Sequence, residues 1–489
     1  MKTRKIYFII VLFSCLHCFS QFIFDADAKI AYKELMALRL NNAEMYIAKS
    51  QKNYPKNGIT LYLSNYSTLV QIFLNDNLEL YKKELDLQGA YYDQLQDLSD
   101  DSPYKNFLIA ESKLHWAFLK LKFGNEVSGA WDLRSAYNLL TENLKKYPNF
   151  KPQLKSLGLL HVLIGSVPSS YKWITNVVGM NGTVAQGLNE ISQCAKDPNE
   201  FSFEAQLYEF LIKIYIQKKQ AETIPNLEKF YTQNTDNLTL NLVLASTLLH
   251  NQMSEKAEKV LESRPTGAEY ADVCVLNKLL GDCYFYSTDY VNANKQYDIF
   301  LAKYKGENYK KDVNYRKLLM QWFTTNTFNK DLINQIKTEG NAIFESDKHA
   351  LKYTNELHIQ HKELTKVRVY FDGGYFDKAL DVLNKIPVNQ FKLRIHQQEY
   401  YYRKARLLAS TNDYNGAIVA YKKSIELQNT QSKAYYAPNS CLQLGYIYLD
   451  RYDKINAKAY FKKAIYDYSD HEYENSIETK AKVALSNLK

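Results

Sequence analysis

The residues best suited to metal chemistry lie in Glu356-Leu-His358-Ile-Gln-His361-Lys-Glu363, where two imidazoles three positions apart are flanked by carboxylates. Read as one helix, the spacing places His358 and His361 on a common face, and imidazole nitrogen is a good ligand for zinc and its neighbours. The i,i+4 pair of the helical zinc motif is missing and no third ligand stands nearby, so a solvated face is expected and no metal is assigned. Gly179-Met180-Asn181-Gly182 would suit an anion at a helix N-terminus. No strand precedes it and no phosphate-loop Lys-Ser/Thr pair follows, so it reads as a turn. Lys303 to Lys317 is basic and interleaved with Tyr304, Tyr309 and Tyr315, a mix that single-stranded nucleic acid would use. His115 and His161 stand in apolar surroundings and read as core histidines. There is no Gly-x-Ser-x-Gly, no dinucleotide fingerprint, no cysteine in a catalytic context and no paired acids outside repeats. The reading is therefore non-enzymatic, with no catalytic residue, metal or cofactor.

The elements that would position any site are helices. Gly (17) and Pro (10) are scarce in 489 residues, which favours long helices and short connections. The 41 tyrosines suit contact positions between helices, where a large ring packs and its hydroxyl finds a partner. The clearest repeat is the last. Counted from Pro438, a 34-residue pattern places Leu444 and Gly445 at positions 7 and 8, Tyr448 at 11, Ala457 at 20, Phe461 at 24 and Ala464 at 27. Small residues at 8, 20 and 27 let two antiparallel helices approach, and large ones fill the gaps. An earlier unit from Gln398 carries Tyr401, Ala405, Leu408, Ala417 and Tyr421. A third from Cys274 carries Leu280, Gly281, Tyr284, Ala293 and Tyr297. Weaker copies surround Ala245/Ala257/Leu261 and Tyr370/Ala379/Leu383, and Ala31, Ala43 and Ile47 fit in part. Glu474 to Lys489 shows one apolar stripe (Ile477, Ala481, Ala484), as the cap of an open-ended stack requires.

The N-terminal half departs from this pattern. Ala110 to Phe123 carries Ala110, Leu114, Ala117, Phe118 and Leu121 at helical spacing. A turn is expected over Gly124 to Gly129, and Asp101 or Ser102 is placed to cap a helix that starts at Pro103. Lys155 to Ile191 is the least repeat-like stretch, with an apolar run too short to span a bilayer, Tyr171 and Trp173, and glycines at 179, 182 and 187. It reads as a buried helical hairpin, with a small-ligand pocket and a membrane-surface or re-entrant contact as the functional alternatives.

Residues 1–20 read as an export signal: Lys2, Arg4 and Lys5, then an apolar segment, then a small-x-small site at Cys18-Phe19-Ser20 that leaves Gln21 first. A second reading is a lipobox, Leu12-Phe13-Ser14-Cys15, with Cys15 lipidated. Without the signal's three cations the 62 Lys+Arg fall to 59 against 53 Asp+Glu, a net +6, too mild to argue for a nucleic-acid partner. Cys194, Cys274, Cys283 and Cys441 remain. Nine residues on one helix separate Cys274 from Cys283 by about 13 Å of rise, out of disulfide reach, so buried free thiols are expected.

The repeat signature of Leu280, Gly281, Ala293, Leu444, Gly445, Ala457, Phe461 and Ala464 resembles the tetratricopeptide repeat. The stretch AESKLHWAFLKLKFG, the Leu/Ala/Tyr helix after it and GLLHVLIGSVPSSYKWITNVVGMNGTVAQGLNEI resemble a domain shared by exported tetratricopeptide proteins of Bacteroidota and by the eukaryotic inclusion-body-clearance and tetratricopeptide-repeat-thirty-nine family. The resemblance covers residues 105–195 and implies a helical fold with no established catalytic residues. Tyr171, Trp173, Gly179, Gly182 and Gly187 carry its motif. The expectation is an all-α superhelix of helix pairs, with an N-terminal helical module over 21–200 and a solenoid over 201–489. Its expected role is to hold a protein segment in the periplasm or cell envelope, as a scaffold or assembly factor. The alternative is a surface lipoprotein that captures a small ligand or glycan.

Overall fold

In a computed structural model of the chain, the structure describes residues 21–99, 102–166, 179–429, 432–486 and 488. The signal segment with Cys15, and Tyr171 and Trp173, lie outside the described residues. Those described form 24 α-helices and no strand. The N-terminal helices are α1 (Ala26–Met36), α2 (Leu40–Asn53), α3 (Gly58–Asn75), α4 (Leu78–Gln96), α5 (Pro103–Lys122), α6 (Glu126–Lys146), α7 (Gln153–Ser166), α8 (Val184–Lys196), α9 (Ser202–Leu211) and α10 (Gln220–Thr232). Next come α11 (Leu238–His250), α12 (Ser254–Glu262), α13 (Val275–Ser287), α14 (Tyr290–Lys303), α15 (Lys310–Thr325), α16 (Lys330–Thr338) and α17 (Glu345–Asn355). The chain ends in α18 (Lys362–Gly373), α19 (Phe376–Asn384), α20 (Arg394–Ser410), α21 (Tyr414–Glu426), α22 (Tyr436–Asp450), α23 (Lys454–Tyr466) and α24 (Glu474–Ser486). The fold is an all-α stack of helix hairpins.

One turn recurs along the stack, including where the sequence repeat is faint. At Leu38, Asp76, Lys218, Gln252, Thr288, Asn412 and Tyr452 a non-glycine residue takes a left-handed φ of 48–74°, immediately before the residue that caps the second helix. Gly124 and Gly374 do the same in two further hairpins. A side chain in this region costs roughly 1–2 kcal/mol. Asn77, Asp289, Asp413 and Asp453 offset it by accepting backbone N–H bonds from the second helix, worth about 1 kcal/mol each.

Close packing explains the small residues. A Cβ on Gly281 would sit 2.6 Å from the Tyr297 ring, and one on Gly445 would sit 2.4 Å from Phe461. Ala293, Ala457 and Ala464 are fully buried in the same hairpins, with Leu280, Leu444 and Phe461 filling the space beside them. In the distinctive N-terminal stretch, α7 and α8 cross glycine on glycine: a Cβ on Gly187 would lie 2.2 Å from the Gly158 carbonyl. A Cβ on Gly182 would lie 2.6 Å from His161, whereas Gly179 has φ +66° and room for one. Ser102 caps α5 at Tyr104 with Pro103 in its first turn. The following turn is shorter than its glycines suggest, because Gly129 lies inside α6, where a Cβ would sit 3.1 Å from the Ala117 carbonyl.

The N-terminal hairpins also dock onto later ones. Leu38, at the tip of α1/α2, is buried in the core built by α11 to α13, and its carbonyl accepts from the Ala271 N–H at 2.8 Å. Asp76, at the tip of α3/α4, pairs with Lys122 and accepts from the Tyr304 hydroxyl and from Asn308.

Candidate functional site: two sets of inner helices

The first helix of each N-terminal hairpin contributes to one sealed ionic cluster. Lys155 on α7 donates to Glu111 on α5 at 2.5 Å and to Glu204 on α9 at 2.8 Å. Tyr32 on α1, Tyr66 on α3 and Tyr208 on α9 donate to Glu204 at 2.5, 3.3 and 2.6 Å. Tyr62 donates to Glu111 at 3.4 Å and Ser156 also donates to it. Glu111 and Lys155 are 0% exposed and Glu204 is 3%. One ammonium therefore faces two carboxylates. Burial pushes the Glu111 carboxyl up, to about 7, against the pull of Lys155. Burial acts the same way on Glu204, but Lys155 and His115 outweigh it and hold that carboxyl at about 2. His115 stacks on Tyr66 at 4.2 Å, and burial lowers its imidazole to about 4. Paired acids thus exist outside the repeats, contrary to the expectation from sequence. They stand 93 positions apart (111 and 204) and meet only because two inner helices converge.

The C-terminal inner helices converge differently, on a cavity of about 690 Å³. Its wall runs through α13 (Tyr286), α15 (Tyr315, Arg316), α17 (His349, Tyr353), α18 (Arg368, Asp372), α20 (Tyr402, Arg406), α22 (Asn439, Gln443) and α24 (Ser476, Ile477, Lys480). Of the outer helices, α21 contributes Tyr421, and α14, α19 and α23 contribute nothing. The unpaired helix α17 and the segment before α24 close the ring: Lys352 pairs with Glu472, the Tyr473 hydroxyl meets His349, and the Glu472 N–H donates to the Lys433 carbonyl at 3.0 Å. Burial lowers the His349 imidazole, with Arg368 adding to the effect, so it is neutral at pH 7.

The charges on this wall fall into two groups. Arg316 is spent on the protein itself, 3.2 Å from Asp312 and 3.4 Å from Asp282, with Lys278 completing a neutral quartet at 2.7 and 3.1 Å from Asp282 and Asp312. Burial pushes the Asp312 carboxyl up, but Arg316 and Lys278 outweigh it and hold it at about 2. Arg368 and Arg406 differ. Arg368 donates to the Tyr315 hydroxyl at 3.3 Å and lies 4.7 Å over the Tyr353 ring. Arg406 lies 4.0 Å over Phe371. Among the described residues, no carboxylate oxygen comes within 4.0 Å of either guanidinium.

The candidates named from the sequence are dispersed. His358 and His361 do not share a helix: His358 sits in a 3-10 turn and His361 is the N-cap of α18, accepting from Leu364 N–H at 3.4 Å with its ring against Phe391 and His396. The turn at 356–361 breaks the assumed periodicity. The basic stretch is neutralised locally, with Lys303 on Asp272, Lys310 on Glu307 and Lys317 on Asp298. His161 meets Glu190 at 2.5 Å. Cys194, Cys274, Cys283 and Cys441 are free and buried. No described helix is long and apolar enough to cross a membrane. Sequence reasoning missed the cavity residues because Arg368, Arg406 and Tyr353 are separated by loops along the chain. Their one shared sign is a polar side chain on the inner face of a helix, where apolar packing is expected.

No curated protein matches the chain in sequence. Among solved structures, the TPR domain of P58(IPK) is similar at 12% identity, with 85% of this chain and 98% of that chain covered and a TM-score of 0.21. The family model described as "Tetratricopeptide repeat" matches residues 398–431 and 438–466, the positions of α20/α21 and α22/α23. These two hairpins, at the foot of the cavity, are tetratricopeptide repeats.

Proposed function

We propose that this chain is an exported, non-enzymatic binding scaffold of the cell envelope, and that its C-terminal superhelix takes a segment of a partner protein into the cavity. The observation that carries the reading is the contrast between the two sets of inner helices. The N-terminal set is filled by its own ionic cluster, while the C-terminal set, tetratricopeptide repeats included, leaves about 690 Å³ unfilled. That volume lies within the ~300–1,000 Å³ range of ligand sites. Residues 21–200 act as a brace whose tips at Leu38 and Asp76 fix the curvature of residues 201–489.

The test is a photo-crosslinking residue placed at Gln443, part-exposed on the cavity wall, and, separately, at Val419 on the outer face, where it is 70% exposed. A discrete partner captured from the native envelope at 443 and not at 419 supports the reading. Capture at both or neither overturns it. The mature N-terminus separates soluble export, which starts at Gln21, from a lipid-anchored form, which starts at Cys15. The half-open, tyrosine-lined shape of the cavity also favours a second reading, capture of a small ligand or glycan. It predicts an occupied cavity with no crosslinked protein.

A further inference from the structure

The cavity's charge is incomplete. The quartet of Lys278, Arg316, Asp282 and Asp312 is neutral, Arg403 is paired with Glu399, and Lys352 is paired with Glu472 at the rim. What remains inside is Arg368 and Arg406 against one carboxylate, Asp372, one helical turn beyond Arg368 on α18. Lys480 adds a further cation on the exposed rim. A half-buried guanidinium without a carboxylate is costly unless something supplies one. Both guanidiniums lie over aromatic rings, Tyr353 and Phe371, and beyond the one bond from Arg368 to the Tyr315 hydroxyl their N–H groups are left for a ligand. A guanidinium edge matches a carboxylate two bonds at a time.

We infer that Arg368 and Arg406 form an anion site inside the cavity whose ligand is a single carboxylate. One negative charge closes the local balance of two arginines and Asp372, whereas a dianion overshoots it. The tyrosine hydroxyls around the pair, Tyr315 and Tyr402 among them, suit the polar remainder of such a ligand better than an aliphatic chain. The inference rests on the same cavity as the scaffold reading but not on the ligand being a protein. A glutamate side chain of a partner segment and a free small acid would present the same group.

The test is calorimetric titration of the full chain with four probes. They are an acetylated, amidated hexapeptide with a central glutamate, its glutamine counterpart, sodium glucuronate and inorganic phosphate. Binding of the glutamate peptide or of glucuronate is expected, with the glutamine peptide at least tenfold weaker than the glutamate one. Arg368→Gln and Arg406→Gln should each weaken binding at least tenfold, and Lys480→Gln at the rim by less than threefold. Asp372→Asn removes the competing carboxylate and should tighten binding, a gain that damage to the fold would not produce. Equal binding of the two peptides without glucuronate binding, phosphate as the only ligand, no binding by any probe, or weaker binding by Asp372→Asn overturns the inference. The two readings fail separately. Glucuronate binding without peptide binding keeps the anion site and sinks the protein segment. A partner crosslinked at 443 whose capture ignores Arg368 and Arg406 does the reverse.

Discussion

Lys155→Met tests whether the sealed cluster holds the N-terminal hairpins together. The wild-type ammonium is shared by Glu111 at 2.5 Å and Glu204 at 2.8 Å, both essentially without solvent access. Methionine fills a similar volume but removes the cation that keeps Glu204 ionised and pulls against the burial of Glu111, leaving a protonated Glu111 beside an unpaired Glu204 in the interior. Removing one partner of a buried ion pair costs about 3–5 kcal/mol. At about 1.4 kcal/mol per tenfold change in an equilibrium constant, that is a loss of about two to three and a half powers of ten in the local closing equilibrium. The chain is too long and repetitive for a single two-state unfolding energy, so the measurement is native-state amide exchange of the full chain, read helix by helix. Protection should fall by that factor in α5, α7 and α9 and stay within threefold in α22 and α23. Adding Glu111→Gln and Glu204→Gln to Lys155→Met removes the unpaired charge while keeping acceptors for the tyrosines, and should recover part of the loss. Unchanged protection in α7, or an equal loss in α22, would refute the reasoning.

Three further outcomes are expected. Because burial raises the Glu111 carboxyl from the ordinary 4.5 to about 7, the folded state keeps a proton that the unfolded chain has already released. Stability of α5 and α7 should therefore be highest near pH 4.5, fall as pH rises to about 7 and level off above it, with Glu111→Gln flattening the exchange profile. Gly187→Ala drives a Cβ to 2.2 Å from the Gly158 carbonyl and should cost about 1–3 kcal/mol in α7/α8 as an overpacked contact, measured by the same exchange. Burial raises the Cys194 and Cys274 thiols to about 11 and Cys441 to about 12. A thiol-selective disulfide reagent should then label none of the four buried thiols in the native protein within an hour at pH 8, and all four after denaturation.

Much of the architecture is local and readable from sequence. Gly281 facing Tyr297, Gly445 facing Phe461 and the buried alanines 293, 457 and 464 sit within single hairpins, so their spacing alone identifies them. The Ser102-Pro103 start of α5 is likewise decided within one turn of chain. In faint hairpins such as α1/α2 and α3/α4 the turn gives no help, because Leu38 and Asp76 take the left-handed region without a glycine, as Thr288, Asn412 and Tyr452 do in the legible ones. The histidine pair fails for the opposite reason. A regular periodicity is assumed across a 3-10 turn that the sequence does not announce.

The sequence by itself determined the helices, their pairing into hairpins and the repeats at 398–431 and 438–466, because each depends on residues fewer than about forty positions apart. Only the tertiary structure decided the two interiors. Lys155 finds Glu111 and Glu204 at separations of 44 and 49 positions, and Lys352 reaches Glu472 across 120. Such pairings follow from the curvature of the whole stack, which sums small rotations at every hairpin. That sum brings the first set of inner helices together tightly enough to exclude water. It leaves the second set around a space with Arg368 and Arg406 on its wall.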